Sequence, residues 1–188
     1  KWQDSLGTIE CKNCPIGKKG GGLEKTSASG CVTCETGTYN DEPGLHPCKD
    51  CATGKYNSQT GKTAESHCLD CHQGKYANVV GTVTCKDCET GKHQSTTGQA
   101  TCTPCEIGKY SSSLGLVECN PCQAGRWQGA TGKTECVMCN PGKYNGATGS
   151  TSISVCVVCG GTTICSAAGA ASCTASPPGT FVGTGAQN

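Results

Sequence analysis

"CEIGKYSSSLGLVEC", residues 105–119, is followed three residues later by "CQAGRWQGATGKTEC", residues 122–136. Both read Cys, two residues, Gly, a base, an aromatic, four residues, Gly, three residues, Cys. The same pattern extends in both directions. Eighteen of the 20 cysteines sit in nine Cys-x-x-Cys motifs, at 11/14, 31/34, 48/51, 68/71, 85/88, 102/105, 119/122, 136/139 and 156/159. The step between motifs is 17 or 20 residues, and a fixed short period marks a repeat array. Gly-Lys-Tyr stands at 54–56, 74–76, 108–110 and 142–144, with Gly37-Thr38-Tyr39, Gly91-Lys92-His93 and Gly125-Arg126-Trp127 as variants. A second glycine follows five residues after each aromatic position, at Gly44, Gly61, Gly81, Gly98, Gly115, Gly132 and Gly149.

Composition says what such a chain must do without. Aromatics make up 4% of 188 residues, with one Phe and one Met. An ordinary hydrophobic core of that length is out of reach, so covalent or metal cross-links must replace it. The net charge of +1 gives no basic field for nucleic acid or an anionic membrane. No apolar run approaches the roughly 20 residues of a membrane helix.

One repeat follows from its residues. The first glycine permits a positive-φ turn, the base–aromatic pair runs extended, and the second glycine turns the chain back. This predicts a short β-hairpin, which alone is marginal in water. A disulfide across its mouth would hold it, by about 3 kcal/mol for a 15-residue loop in the chain-entropy model. The fold class is therefore small, disulfide-rich and mostly irregular with short β-hairpins, in an elongated linear array with little or no helix. The expected organisation is a truncated repeat over 1–11 and eight tandem hairpin repeats over 12–159. A Gly/Ala/Ser-rich variant segment over 160–188 then ends in the start of a further repeat.

Connectivity is not given by sequence alone. The repeat logic favours joining the second Cys of each motif to the first of the next: Cys14–Cys31, Cys34–Cys48, Cys51–Cys68, Cys71–Cys85, Cys88–Cys102, Cys105–Cys119, Cys122–Cys136 and Cys139–Cys156. The rival joins motifs two at a time, first to first and second to second, and leaves one of nine over. After Cys159 the pattern breaks, with Cys165 and Cys173 unmatched, and "PPGTF" at 177–181 restarts a hairpin. Cys159–Cys165 would then pair across a short loop. Cys11 and Cys173 would find partners outside this segment, and chains joined head to tail would bring those two together in a filament. Lys1 on this reading opens inside a repeat.

The motifs have other readings. Paired Cys-x-x-Cys motifs come close to zinc-ribbon spacing, but His46, His67, His72 and His93 hold no constant place in the repeat. A redox Cys-x-x-Cys needs a βαβ frame and a helix N-terminus, and neither is visible. Structural disulfides remain, and they imply an oxidising compartment. Lys55, Lys75, Lys92, Lys109, Arg126 and Lys143 share one repeat position. They form either a cationic row for an anionic polymer or stems covering the adjacent ring while the charge stays in water. Trp2, Tyr39, Tyr56, Tyr76, Tyr110, Trp127 and Tyr144 are the expected packing aromatics, the six from Tyr39 on being the most buried side chains after cysteine and each touching a disulfide. No catalytic constellation, cofactor site or metal site emerges, and no apolar patch sets one repeat apart. No Asn-x-Ser/Thr sequon occurs, so any glycan would be O-linked in the Ser/Thr-rich turns.

Cys-x-x-Gly-x-Tyr, a glycine-containing turn and then Cys-x-x-Cys resemble the cysteine-rich repeats of ephrin-receptor-like modules. They are also similar to the single-disulfide half-modules of tumour-necrosis-factor-receptor ectodomains. Arrays of this kind occur in surface proteins of protists and algae. The resemblance covers residues 1–159. It implies an extracellular or cell-surface location and a role as stalk, adhesive surface or ligand-binding ectodomain. The regularity of the units favours a rod-like element of a filament, stalk or coat. The alternative is a receptor or adhesin ectodomain with a protein or glycan ligand. Neighbours would be copies of the chain or the rest of a longer chain, with no nucleic acid and no membrane insertion in this segment.

Overall fold

Each Gly-base-aromatic stretch becomes the first strand of a hairpin, and the two residues inside the next Cys-x-x-Cys become the second. The computed structural model describes residues 13–21 and 30–177. The expected truncated repeat at 1–11, with Trp2 and Cys11, lies outside the described residues, as does most of "PPGTF". Lys18–Gly20 pairs with Cys31–Thr33, Thr38–Tyr39 with Lys49–Asp50, and Lys55–Tyr56 with Leu69–Asp70. Lys75–Tyr76 pairs with Lys86–Asp87, Lys92–His93 with Thr103–Pro104, and Lys109–Tyr110 with Asn120–Pro121. Arg126–Trp127 pairs with Val137–Met138, Lys143–Tyr144 with Val157–Val158, and Thr163–Ile164 with Thr174–Ala175. All are antiparallel and two-stranded, and no α-helix occurs among the described residues. In the longer repeats closed by Cys51–Cys68 and Cys139–Cys156, a 3-10 turn takes up the three extra residues just before the closing cysteine, at Glu65–His67 and Ile153–Val155.

The last hairpin corrects the expected break after Cys159. Thr162 stands in the first-glycine place, and Ser176 stands where the second cysteine of a tenth motif would be. The Ser176 amide donates to Thr162 O at 2.7 Å, as the Cys139 amide does to Gly125 O at 2.8 Å. The repeat continues through residue 176 with its signature residues exchanged. The backbone bonds need no particular side chain there, so the pattern outlives the motif.

The chain divides into two compact units, residues 1–88 with 94–102, and 89–93 with 103–188. Within each, from the Cys34–Cys48 repeat onward, consecutive repeats are joined by the same three backbone hydrogen bonds. In the first unit, the Gly37 amide donates to Asn57 O (2.7 Å), the Asn40 amide to Lys62 O (2.9 Å) and the Gly61 amide to Cys34 O (2.8 Å). In the second unit, Gly108 to Gln128 O (2.7 Å), Ser111 to Lys133 O (3.0 Å) and Gly132 to Cys105 O (2.7 Å) repeat the set. Buried amides and carbonyls must be paired, and here the neighbouring repeat supplies the partner. Opening cysteines lie deepest: Cys34, Cys51, Cys71, Cys88, Cys105 and Cys122 are fully buried. Sulfur and paired backbone thus take the place of an aliphatic core.

Two repeats along, contact is closer still. A Cβ on Gly17 would come within 2.6 Å of Gly61 O, and on Gly37, Gly54, Gly91, Gly108 or Gly125 nearer yet to the equivalent carbonyl. With φ between 75° and 81° at these positions, only glycine satisfies both the turn and the approach.

Candidate functional site

The structure joins Cys14 to Cys31, Cys34 to Cys48, Cys51 to Cys68 and Cys71 to Cys85. It joins Cys88 to Cys102, Cys105 to Cys119, Cys122 to Cys136 and Cys139 to Cys156. Cys159 lies in bonding position to both Cys165 and Cys173. This corrects the expectation that Cys173 finds its partner outside the segment. Its sulfur is at the mouth of its own hairpin, immediately before Thr174–Ala175, as Cys48, Cys68 and Cys85 immediately precede theirs.

The aromatic column is less deeply buried than expected. Tyr39 is buried, whereas Tyr56, Tyr76, Tyr110, Trp127 and Tyr144 are half-buried. Tyr39 clusters with Cys51 and Cys68, the disulfide of the following repeat. His93, at the same repeat position, puts Nδ1 3.2 Å from Cys119 Sγ, again in the following repeat. The ring therefore caps its neighbour's cross-link. His93, Cys105 and Cys119 together resemble a ligand set. Both sulfurs are engaged with each other, however, and a disulfide offers no thiolate.

The deepest side chains after cysteine come one residue later, and the motif reading missed them. Asn40, Asn57, Ala77, Gln94, Ser111, Gln128 and Asn145 are all buried, with Asn40 and Ser111 at 0% exposure. The side-chain oxygen of Asn40 accepts from the Glu42 amide (3.0 Å), that of Asn57 from Gln59 (2.9 Å) and that of Asn145 from Ala147 (3.0 Å). Their amide groups reach back to the previous repeat. Asn40 Nδ2 donates to Lys18 O (2.6 Å), Asn57 Nδ2 to Thr38 O (3.1 Å) and Asn145 Nδ2 to Arg126 O (3.1 Å). The longer Gln94 and Gln128 donate instead within their own repeats, to Thr101 O and Glu135 O at 2.8 Å each. The signal was present as an amide-rich column directly after the aromatics.

Acids answer the cationic column. Lys55 Nζ lies 2.7 Å from Asp70, its cross-strand partner, and Lys75 meets Asp87 in the same way. Lys92 and Lys109 reach Glu89 (2.9 Å) and Glu106 (3.2 Å) three residues back. These exposed pairs contribute little stability, but they neutralise four of the row's six cations. Lys49 bridges Asp41 and Glu42 at 2.8 Å each. Its ammonium holds Asp41 below the usual carboxylate range, and the two acids hold Lys49 above its own. Burial raises the Tyr39 phenol above its ordinary value, with Glu65 and Asp41 adding to the rise.

Apolar side chains are nonetheless exposed. In the second unit Val137, Met138, Ile153, Val157 and Val158 all face solvent, Val157 and Val158 at 53% and 63%. Val137–Met138 and Val157–Val158 occupy the second-strand positions that hold Lys49–Asp50 and Lys86–Asp87 in two repeats of the first unit.

Residues 108–156 match the family model described as tyrosine-protein kinase ephrin type A/B receptor-like. The chain is an array of cysteine-rich repeats, and this stretch of it is similar to the ephrin-receptor-like family. The matched stretch contains two complete closed hairpins, Cys122–Cys136 and Cys139–Cys156, and the geometry carries that unit to both sides. No curated protein matches the chain. Abundant disulfides and ephrin-receptor-like repeats are typical of extracellular or secreted proteins. The fold belongs to a type that is generally non-enzymatic. Among the described residues no helix is long and apolar enough to cross a membrane.

Proposed function

We propose that this array is a non-enzymatic extracellular structural protein, a repeating element of a cell-surface filament, stalk or coat. Its neighbours are copies of itself or the rest of a longer chain. The observation that carries this reading is the identity of the inter-repeat hydrogen bonds. From the Cys34–Cys48 repeat onward, each repeat hands the same three backbone bonds to the next within both units. Such a unit is extended by adding more of itself, as in repeat proteins whose stability is a sum of local interface terms. Labelling intact source cells with a membrane-impermeant amine reagent tests it. The account expects labelling without permeabilisation and co-extraction with insoluble surface material. Labelling only after lysis would overturn it.

A receptor or adhesin ectodomain is the second reading, and the exposed Val137, Met138, Val157 and Val158 favour it. Large apolar side chains left in solvent on two consecutive hairpins offer a ligand an interaction surface. On that reading the chain binds a protein or glycan saturably and the doubly substituted Val157→Lys/Val158→Lys chain does not. On the structural reading that variant assembles like the parent.

A further inference from the structure

We propose that Cys159, Cys165 and Cys173 form a thiol–disulfide exchange site that presents a reactive thiol, at Cys173, to a disulfide-bearing partner. This goes beyond a structural or ligand-binding role and does not depend on either.

Eight repeats use two cysteines each and are closed. The ninth holds three, whose sulfurs all lie within 4.8 Å of one another. Three sulfurs make one bond and leave one thiol. Repeat register identifies the resting bond as Cys159–Cys173. Its separation of 14 residues is that of Cys34–Cys48, Cys71–Cys85 and Cys122–Cys136. It also closes the hairpin of Thr163–Ile164 with Thr174–Ala175.

Cys165 is the extra residue. It occupies the buried place after the first strand where other repeats carry Asn, Gln, Ser or Ala. Its carbonyl accepts the Gly142 amide at 2.7 Å, as Asn145 O accepts that of Gly125 at 2.6 Å. Its side chain, at 7% exposure, makes no amide-type turn bond. The sulfur sits 3.0 Å from Cys173 Sγ and 3.8 Å from Ser172 O. Cys159 has its Cα 6.3 Å from that of Cys165 and 5.8 Å from that of Cys173. Both separations fall within the range a disulfide spans, so Cys159 can bond either partner without movement of the hairpin backbone.

The exchange balances within the chain. Cys165 loses its proton to solvent, and its thiolate attacks Cys159 Sγ. The Cys159–Cys165 bond forms, the Cys159–Cys173 bond breaks, and Cys173 departs as the thiolate with the electron pair. The free sulfur thereby moves from a buried residue to a half-buried one. The Cys173 thiolate can then attack a partner disulfide, bonding one of its sulfurs and releasing the other as a thiolate. The intramolecular exchange needs no external oxidant, and in the second step the partner disulfide is the oxidant, its released thiolate taking a proton from solvent.

Oxidised glutathione is the probe, used on the whole native chain with acid quenching and mass-spectrometric mapping. The expected product carries one glutathione on Cys173 and a Cys159–Cys165 link in the same molecule. Cys165→Ser should abolish the adduct and leave Cys159–Cys173 intact. Cys173→Ser should also lose the adduct while retaining Cys159–Cys165. The eight upstream disulfides, mapped in the same digest, report that each variant has folded. A glutathione on Cys165 with Cys159–Cys173 unbroken would overturn the proposal, as would an adduct that survives Cys165→Ser. So would the absence of any thiol among the three.

Discussion

At the scale of single residues, the position after the aromatic holds the repeats together more than the aromatic itself. Asn57 satisfies the Gln59 amide in its own turn and Thr38 O in the preceding repeat. Asn57→Ala should therefore cost about 1–2 kcal/mol, the loss of two hydrogen bonds with one partner of each left behind. Amide exchange at Gln59 should accelerate accordingly. Ala77 already occupies the equivalent place, so the substitution fits sterically and any loss reports the bonds. No change in exchange would mean that water replaces the side chain. Tyr39 gives a pH signature. Burial raises its phenol above the ordinary 10.0, so the folded state favours the neutral form. That contribution is complete below pH 10 and is lost as pH rises through the folded-state value. Ultraviolet titration should show a late-ionising tyrosine missing from Tyr39→Phe. The parent should lose stability relative to that variant above pH 10. Equal alkaline profiles for the two would contradict it. The amide column was hard to see beforehand, because Asn, Gln, Ser and Ala share no chemistry apart from fitting a small buried site. The cysteine and glycine columns were easy to see, since covalent closure and positive φ tolerate few alternatives.

At the scale of the hairpin, glycine identity separates two demands. Gly125 and Gly132 both have positive φ, 81° and 69°. A Cβ on Gly125 would collide with Gly169 O of the repeat two along, whereas on Gly132 it would find Pro104 Cβ at 3.6 Å. Gly132→Ala should carry only backbone strain, about 1–3 kcal/mol. Gly125→Ala should cost more, with the excess appearing as faster exchange at the Gly125 and Asn145 amides that cross repeats. Equal effects would mean that the close approach is not structural. The hairpins and their boundaries were legible from period alone. The contact two repeats away was not, because it joins backbone to backbone and leaves no trace except a glycine, repeated from Gly17 to Gly142, that the turn already explains. The ninth hairpin was hidden for a related reason. Thr162 and Ser176 replace the two residues by which the motif is recognised, yet the Ser176 amide still reaches Thr162 O.

At the scale of the whole molecule, each repeat is closed by its own disulfide and extended through the one or two repeats beside it. Every bonded pair from Cys14 to Cys156 spans 14 or 17 residues. Among the described residues no cross-link therefore ties distant parts of the chain, and the loss of one should loosen its repeat and the adjacent ones first. The most direct measurement is peptide mapping of the native chain under non-reducing conditions, with thiols blocked before digestion. The account predicts eight linked loops from Cys14 to Cys156, each joining the second cysteine of a motif to the first of the next, with the Cys159–Cys173 loop as a ninth. Fragments linked first to first and second to second between motifs, or four cysteines recovered as thiolates around a bound metal ion, would contradict it.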